Sequence, residues 1–181
     1  MKLMIASDIH GSAKWCARML EAWRAEGAAR LILLGDLLYH GPRNDLPEDY
    51  APKRVIEMLN SVADELLCVR GNCEAEVDQM VLRFPVMADY AALLLEGHTI
   101  YATHGHLYGE DNPPPLRPGD VLLCGHTHVP LLRRHESFTY VNPGSVSIPK
   151  AGSPHSYMTL ENGEAVWKDL VGGVFDLQRL C

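Results

Sequence analysis

The chain has 181 residues, of which 47% are apolar and 22% charged, and this length and composition predict one globular domain over residues 1–181. Its formal charge of −7 argues against a broad nucleic-acid-binding surface, because phosphate contacts require clustered Lys and Arg. No apolar run approaches the roughly 20 residues of a membrane-spanning helix, and no signal peptide is apparent, so we expect a cytoplasmic protein.

The first half of the chain predicts strands that alternate with helices. Short apolar runs predict buried strands at residues 2–7, 30–34 and 66–69. Apolar side chains at helical spacing predict helices at residues 13–26, 53–63 and 74–84. This alternation implies parallel pairing of the three strands through right-handed crossovers.

The second half of the chain predicts mainly strands. A hairpin is expected from residues 90–95 and 99–103, and Asn162-Gly163 predicts a type I′ turn, which needs positive φ at both positions. Further short strands are expected at residues 121–124, 138–141, 146–148, 157–160 and 165–170. The fold class is therefore α/β, with two mixed sheets flanked by helices and the second sheet largely antiparallel.

Five of these strands are followed by side chains that can bind a metal. The candidates are all nitrogen or oxygen donors: Asp8, His10, Asp36, Asn72, His104, His126 and His128. Strand ends on one sheet edge converge, so we expect the metal site there. Helix capping or turn formation explains a lone Asp or Asn equally well, but it requires no histidine, and four of the seven are His.

The residue types also limit which metal fits. His126 and His128 occupy alternate positions, and an extended backbone would turn both rings the same way. A cluster of Asp, His and Asn without Cys suits Mn²⁺, Fe, Zn²⁺ or Co²⁺ rather than a structural zinc site. The five cysteines form no C-x-x-C pair, which predicts free thiols: Cys16, Cys68, Cys73, Cys124 and Cys181.

The order of these motifs resembles that of the calcineurin-like metallophosphoesterases. The resemblance runs from residue 2 to about residue 149 and rests on Asp8-x-His10, Gly35-Asp36, Gly71-Asn72, His104 and Gly125-His126-x-His128. Five longer segments are similar to the small bacterial YfcE-type phosphodiesterases: residues 7–12, 40–44, 70–73, 103–106 and 142–147. That group shares its fold with the Vps29 subunit of retromer.

The resemblance implies a dinuclear centre. Asp8, His10 and His128 would hold one ion. Asn72, His104 and His126 would hold the other, and Asp36 would bridge. Mn²⁺ is the first choice, with Zn²⁺, Fe, Ni²⁺ or Co²⁺ as alternatives. A hydroxide bridging the ions would attack a small phosphodiester, with Asp36, Asn72 and His104 as catalytic residues.

Other residues are expected near the substrate. His40 and Arg43, in the loop after Asp36, are candidate substrate contacts together with Asn72, because the Arg43 guanidinium can bind a phosphate through two hydrogen bonds. A plain turn around Pro42 explains that loop equally well. Many family members carry a histidine that protonates the leaving group where this chain has Cys73. A neutral thiol is a poor substitute, so we expect a preference for good leaving groups. His106 is a candidate for assistance, or a packed histidine.

Three other functions compete with a phosphodiesterase. A Vps29-like protein-binding scaffold with vestigial or weak activity is the alternative, but such scaffolds lose metal-binding residues and all seven positions are filled here. The acidic charge argues against a nuclease. The segment after Asp36 lacks the Asp-Arg-Gly sequence typical of protein phosphatases. Predicted strand edges in the C-terminal half leave room for a homo-oligomer.

Overall fold

The computed structural model describes residues 1–95 and 97–180, which form eleven strands and three α-helices. The strands are β1 Leu3–Ala6, β2 Arg30–Leu33, β3 Leu66–Cys68, β4 Tyr90–Leu95, β5 His98–Thr103, β6 Val121–Leu123, β7 Leu131–Arg134, β8 Thr139–Asn142, β9 Ser156–Glu161, β10 Glu164–Asp169 and β11 Val174–Arg179. The helices are α1 Ala13–Glu26, α2 Pro52–Asn60 and α3 Glu76–Val81, with a short 3-10 turn at Ala63–Glu65.

The six-stranded sheet contains the predicted alternation. Its order is β11-β10-β9-β1-β2-β3, and β1, β2 and β3 run parallel as predicted. Strands β9, β10 and β11 are antiparallel and join the sheet beside β1. The predicted turn between β9 and β10 is confirmed, because Asn162 (φ 51°) and Gly163 (φ 73°) both have positive φ.

The five-stranded sheet has the order β4-β5-β6-β8-β7. The hairpin of β4 and β5 is antiparallel as predicted, while Glu96 in its turn lies outside the described residues. Strands β5, β6 and β8 are parallel, so the prediction that this sheet is largely antiparallel is wrong. The antiparallel strands β9 and β10, expected in this sheet, belong to the six-stranded sheet instead, where β9 pairs with β1 and β10 pairs with β9.

Local sequence signals set the bounds of helix α1. The Ser12 hydroxyl accepts a hydrogen bond from the Trp15 N–H at the start, and Gly27 ends the helix in the left-handed conformation (φ 60°). The helix buries Met19 and Trp23 against residues of β1 and β2, including Met4. Helices α1 and α2 thus cover one face of the six-stranded sheet.

The second core lies between the two sheets. It joins apolar residues from both, such as Ile5 and Trp167 on one side and Ile100 and Leu123 on the other. The Trp167 indole Nε1 also donates to the Asn142 carbonyl across the sheets, at 2.7 Å, so its one polar group is satisfied. The outer face of the five-stranded sheet forms a smaller core, in which Leu116 packs.

Several predicted elements differ from the structure. The predicted helix 53–63 ends at Asn60, and 74–84 contains only the shorter α3. Residues 146–148 form no strand. The N–H groups of Val146 and Ser147 donate to the Ser7 and Asp8 carbonyls, and that of Ile148 donates to the Ser145 hydroxyl. The sequence did not predict β7 or β11, which are largely exposed edge strands.

Two further predictions concern thiols and membranes. Cys16, Cys68, Cys73 and Cys124 are free, as predicted, and Cys181 lies outside the described residues. Among the residues that the structure describes, no helix has the length and apolar character needed to cross a bilayer.

Candidate metal centre

The seven candidate ligands follow the C-terminal ends of β1, β2, β3, β5 and β6, and the structure brings them together at one edge of the sandwich. Ligand atoms of Asp8, His10 and His128 lie within 4.8 Å of one another. The same holds for ligand atoms of Asp8, Asp36 and His104. The expected convergence of strand ends is therefore present in the structure.

Five of the seven candidates have a left-handed backbone. The φ angles are 61° at Asp8, 48° at His10, 56° at Asp36, 66° at His126 and 62° at His128. Such angles cost energy in residues other than glycine and concentrate at functional sites. The prediction that the His126 and His128 rings face the same way is wrong, because it assumed an extended backbone. His126 packs beside His104, with ring centroids 5.0 Å apart, and His128 beside His10, at 5.1 Å.

The first half of the site consists of Asp8, His10 and His128. The Asp8 Oδ1 lies 3.2 Å from the His128 Nε2 and 3.6 Å from the His10 Nε2. The two Nε2 atoms are themselves 3.2 Å apart. All three residues are buried, so the nitrogen and oxygen atoms face one another with little access to water.

Backbone carbonyls determine which ring nitrogens face the site. The His10 Nδ1 donates to the Tyr39 carbonyl at 2.8 Å and the His128 Nδ1 to the Ile148 carbonyl at 2.6 Å. Because a carbonyl can only accept, the hydrogen of each neutral ring is on Nδ1, and the Nε2 lone pair points inward.

This arrangement fits a bound cation. Two lone pairs would otherwise face each other over 3.2 Å, beside an Asp8 Oδ1 that is buried and lacks a hydrogen-bond partner among the described residues. A divalent ion resolves both conflicts, and histidines that ligate metals commonly donate their other N–H to a carbonyl in this way.

The second half of the site is centred on His104. Its Nε2 lies 3.1 Å from the Asn72 Oδ1 and 3.2 Å from the His126 Nδ1. Its Nδ1 donates to the Leu34 carbonyl at 2.6 Å, the same arrangement that orients the rings of the first half. His126 thus presents Nδ1 to this group, whereas the other rings present Nε2.

Asp36 lies between the two halves. Its Oδ2 is 3.7 Å from the His10 Nε2 and 3.5 Å from the His104 Nε2, so one oxygen faces both groups. Its Oδ1 accepts the backbone N–H of Cys73 at 2.9 Å, which fixes the plane of the carboxylate. Asp36 is therefore placed to interact with cations in both halves.

The electrostatics of the site favour ionised carboxylates. Burial raises the pKa of Asp8, but the imidazoles of His10 and His128 that face its carboxylate outweigh burial and hold this pKa well below its usual range. Burial lowers the pKa of His104, yet its contact with Asp36 and the charge of Asp8 raise it to about 9. Protons and divalent ions therefore compete for the same atoms, and ion binding should weaken as pH falls.

Segment 142–147, which carried part of the sequence resemblance, supports the first half of the site. The hydroxyls of Ser145 and Ser147 both donate to the Asp8 carbonyl, at 3.0 and 3.1 Å. The His126 N–H donates to the Asp8 Oδ2 at 3.1 Å. These bonds hold Asp8 in its left-handed conformation.

Sequence reasoning missed Glu74, whose carboxyl group is buried below the site. Its oxygens accept the N–H groups of Asp36 at 2.8 Å, Leu37 at 2.7 Å and Gly71 at 2.5 Å. Burial and the nearby Asp36 charge raise the pKa of Glu74 to about 7. The available signal is an acidic residue directly after the Gly71–Cys73 motif, but helical periodicity predicts this position as the first residue of the helix 74–84.

The predicted substrate residues are arranged around the mouth of the site. Asn72 is exposed, and its Nδ2 donates to the Cys73 Sγ at 3.2 Å. The His40 ring packs edge-on against Tyr39 and Tyr50. Arg43 is exposed and forms no ion pair within the described residues, so its predicted phosphate contact remains a prediction.

His106 lies behind the second half of the site, with its ring centroid 5.4 Å from that of His104. Its Nδ1 is buried and has no hydrogen-bond partner in the part of the chain that the structure describes. Burial and the charge of His104 lower its pKa, so the imidazole is neutral near pH 7.

Comparison with known families identifies the class of protein. The model of the calcineurin-like phosphoesterase superfamily domain matches residues 1–164. The chain belongs to this superfamily. This confirms the sequence-based assignment to the metallophosphoesterases, and the two-sheet α/β sandwich agrees with the fold of this superfamily.

Among individual relatives, the chain is similar to a bacterial phosphodiesterase over most of its length. The chain is 54% identical over 162 residues to phosphodiesterase YfcE of Escherichia coli K12, covering 90% of this chain and 88% of that protein. The solved structure of the E. coli phosphoesterase YfcE superposes with a TM-score of 0.96 at 48% identity over the full length of both chains. The chain is thus a metallophosphoesterase homologous to YfcE.

A more distant structure shares the fold alone. Vps29 of Entamoeba histolytica, solved with Zn²⁺, superposes with a TM-score of 0.63 at 17% identity, covering all of both chains. The predicted relation of the fold to Vps29 is confirmed.

Proposed function

We propose that this metallophosphoesterase hydrolyses a small phosphodiester at two divalent ions held by the seven converging residues. One ion is assigned to Asp8, His10 and His128. The other is assigned to Asn72, His104 and His126, with Asp36 shared. The observation that carries the proposal is the pair of inward-facing Nε2 lone pairs of His10 and His128 beside the unpartnered Asp8 oxygen.

The ions supply the charge that the chemistry requires. When bound, two divalent ions provide hydroxide near neutral pH for in-line attack and neutralise the phosphoryl oxygens. Two ions with two carboxylates and one hydroxide carry about one net positive charge, which attracts a phosphodiester monoanion to an acidic protein. We propose Mn²⁺ as the ion, because the assigned ligands are carboxylate, amide and imidazole groups without thiolate.

The protein side chains position the substrate. We assign catalytic roles to Asp36, Asn72 and His104, and substrate contacts to Asn72, His40 and Arg43. Asn72 suits both roles, because its amide is exposed at the mouth of the site while its Oδ1 faces His104. Arg43 has the length and freedom to bind a phosphate oxygen from the loop opposite.

The setting of the reaction belongs to the same proposal. We assign the activity to a single domain over residues 1–181, in the cytoplasm, where free thiols such as Cys16 and Cys124 persist. We do not expect nucleic acid as a substrate, given the charge of −7. Self-association through the sheet edges remains part of the proposal.

The test is hydrolysis of bis-p-nitrophenyl phosphate by chelator-treated protein to which Mn²⁺ is returned. We expect Mn²⁺ to restore diester cleavage, about two ions to bind per chain, and Asn72→Ala to lose activity. The amide truncation Gln178→Ala on β11 serves as the matched control and should retain activity. Absence of hydrolysis with Mn²⁺, Zn²⁺, Co²⁺, Ni²⁺ and Fe²⁺ would instead favour the Vps29-like scaffold, with protein partners to be sought.

A further inference from the structure

A cavity of about 360 Å³ opens beside the second half of the metal centre. It lies between the loop at residues 105–112 and the segment at residues 125–127. Its lining includes His106, Glu110, Asp111, Asn112, His126 and Tyr140. Because His126 is both an assigned metal ligand and part of the wall, a phosphate bound at the metal centre would direct one ester group towards this cavity.

The loop that forms one wall is held in a defined conformation. Gly109 and Asn112 exchange two backbone hydrogen bonds, of 3.3 and 3.2 Å, which close a tight turn with Asp111 near its tip. The Thr103 hydroxyl donates to the Tyr108 carbonyl at 2.7 Å and fastens the loop to β5. A preorganised wall costs a ligand little ordering entropy, so the cavity is suited to selective binding.

The charge of the cavity favours one kind of ligand. The lining residues include two carboxylates and contain neither Lys nor Arg. The Glu110 carboxylate is already bonded to Arg133 at 2.7 Å and His135 at 2.8 Å. Asp111, in contrast, is exposed and has no ion pair within the described residues, so its charge is available to a ligand.

We propose that this cavity, which we name the 105–112 pocket, receives one alcohol group of the phosphodiester and selects it by charge. The selected alcohol is cationic or rich in hydrogen-bond donors, as in an amino alcohol or a polyol. An alcohol that bears a further anionic group is disfavoured by Asp111. The inference rests on the proposed diesterase function, to which it adds a substrate class.

A matched series of p-nitrophenyl phosphodiesters tests the selection. The second alcohol is choline, its uncharged isostere 3,3-dimethylbutanol, or glycolate. We expect kcat/KM to be higher for the choline diester than for its isostere by up to about fivefold, the upper limit for an exposed charge pair, and lowest for glycolate. Asp111→Asn should bring the ratio of kcat/KM for the choline diester to kcat/KM for its isostere close to one. Asp64→Asn, which changes an exposed carboxylate in the 3-10 turn before β3 and outside the pocket lining, should leave this ratio unchanged.

A binding measurement separates this inference from the proposed function. Calorimetry compares phosphocholine with 3,3-dimethylbutyl phosphate on the wild-type protein and on Asp111→Asn in the presence of Mn²⁺. Suppose that no diester is hydrolysed, but that phosphocholine binds more tightly than 3,3-dimethylbutyl phosphate and Asp111→Asn removes this difference. The proposed function is then wrong, while the inference about the pocket is supported. If all three diesters are cleaved with equal kcat/KM, or glycolate is preferred, the pocket inference is overturned while the diesterase function stands.

Discussion

The Glu74 carboxylate accepts the backbone N–H of Asp36 through Oε2 at 2.8 Å, and the same oxygen accepts the N–H of Gly71 at 2.5 Å. One partly buried side chain therefore connects the loop after β2 with the loop after β3. Those loops carry Asp36 and Asn72, two of the assigned ligands. Within the described residues, the hydrogen bonds of Glu74 go to backbone N–H groups and not to ligand side chains, so we infer that it holds these two loops at a fixed separation.

Replacing Glu74 by Gln should weaken metal binding without removing a ligand. One oxygen becomes an NH₂ group, which cannot accept a hydrogen bond and leaves a backbone N–H without a partner. We expect divalent-ion affinity to fall by about 10- to 100-fold, the usual effect of losing a group that orients ligands. Competition with a fluorescent chelator measures this affinity. Glu76→Gln, an exposed change two residues away, is the control. If the metal affinities of Glu74→Gln and Glu76→Gln both lay within twofold of the wild-type value, the proposed role of Glu74 would be contradicted.

Gly125 is a second position where the backbone limits the metal centre. A Cβ at this residue would collide with the Ser7 hydroxyl and lie 2.8 Å from the Asp8 Oδ2. Gly125→Ala should therefore displace Asp8, lower the free energy of unfolding by about 1–3 kcal/mol and weaken Mn²⁺ binding.

Gly152→Ala provides the comparison for this prediction. No atom lies within 4 Å of a Cβ at Gly152, although its φ of 72° costs about 1–2 kcal/mol in any other residue. Both variants should be less stable in urea, but only Gly125→Ala should lose Mn²⁺ affinity in calorimetry. Equal Mn²⁺ affinity in the two variants would show that Asp8 tolerates the extra methyl group.

The sequence predicted the parts of the fold that depend on local signals. Helix α1 has the predicted bounds, because Ser12 caps its start and Gly27 ends it. The ligands were found because polar residues after buried strands stand out from the apolar runs that precede them. The rule that strand ends share a sheet edge then predicted their convergence.

The parts that were missed depend on tertiary contacts. Strand β11 pairs only with β10 at the edge of its sheet, so its apolar residues Val174 and Leu177 are exposed and give no clear core pattern. Ser147 lies in an apolar segment that was predicted as a strand, but its hydroxyl bonds to Asp8, 139 residues away in the chain. Periodicity contains no information about such distant partners.

A partly buried charge network makes stability depend on pH. The Glu26 Oε1 accepts hydrogen bonds from Lys168 at 2.5 Å and Tyr157 at 2.9 Å, and Lys2 donates to its Oε2 at 3.3 Å. Burial raises the pKa of Glu26, but its bonds to Lys168, Tyr157 and Lys2 outweigh burial and lower the pKa below about 4.5. A lowered carboxyl pKa stabilises the fold above the unfolded pKa, and this stabilisation is lost as pH falls through the folded value.

Glu26→Gln should therefore destabilise the protein at neutral pH by about 1 kcal/mol, the upper end for such exposed or partly exposed pairs. The difference in the free energy of unfolding between Glu26→Gln and wild type should stay constant down to about pH 5 and decrease below the ordinary Glu pKa near 4.5. Urea unfolding between pH 7 and pH 4 measures it, with Glu21→Gln, an exposed residue on the same helix, as the control. A difference that grows on acidification would contradict the assigned network.

Cys73 follows the assigned ligand Asn72, at the position where the family resemblance implies a group that protonates the leaving alkoxide. Its Sγ lies 3.2 Å from the Asn72 Nδ2, and it can share a ligand group with His10 and Asp36. Burial and the charge of Asp36 raise the pKa of the thiol, so it stays neutral and releases a proton poorly. An imidazole there would face the same charge of Asp36, which favours the protonated ring that can donate to a departing alkoxide.

Cys73→His should accordingly raise kcat for alkyl diesters by about tenfold, below the usual 10²–10⁴ range for positioned acids because the site is not adapted to it. The kcat for nitrophenyl diesters, whose leaving groups need no proton, should change little. The measurement is the dependence of kcat on leaving-group pKa, which should become shallower in Cys73→His and stay unchanged in Cys73→Ser. Bound metal must be counted in both variants, because a new imidazole near His10 and Asp36 could ligate an ion. An unchanged dependence at equal metal content would mean that protonation at this position does not limit the reaction.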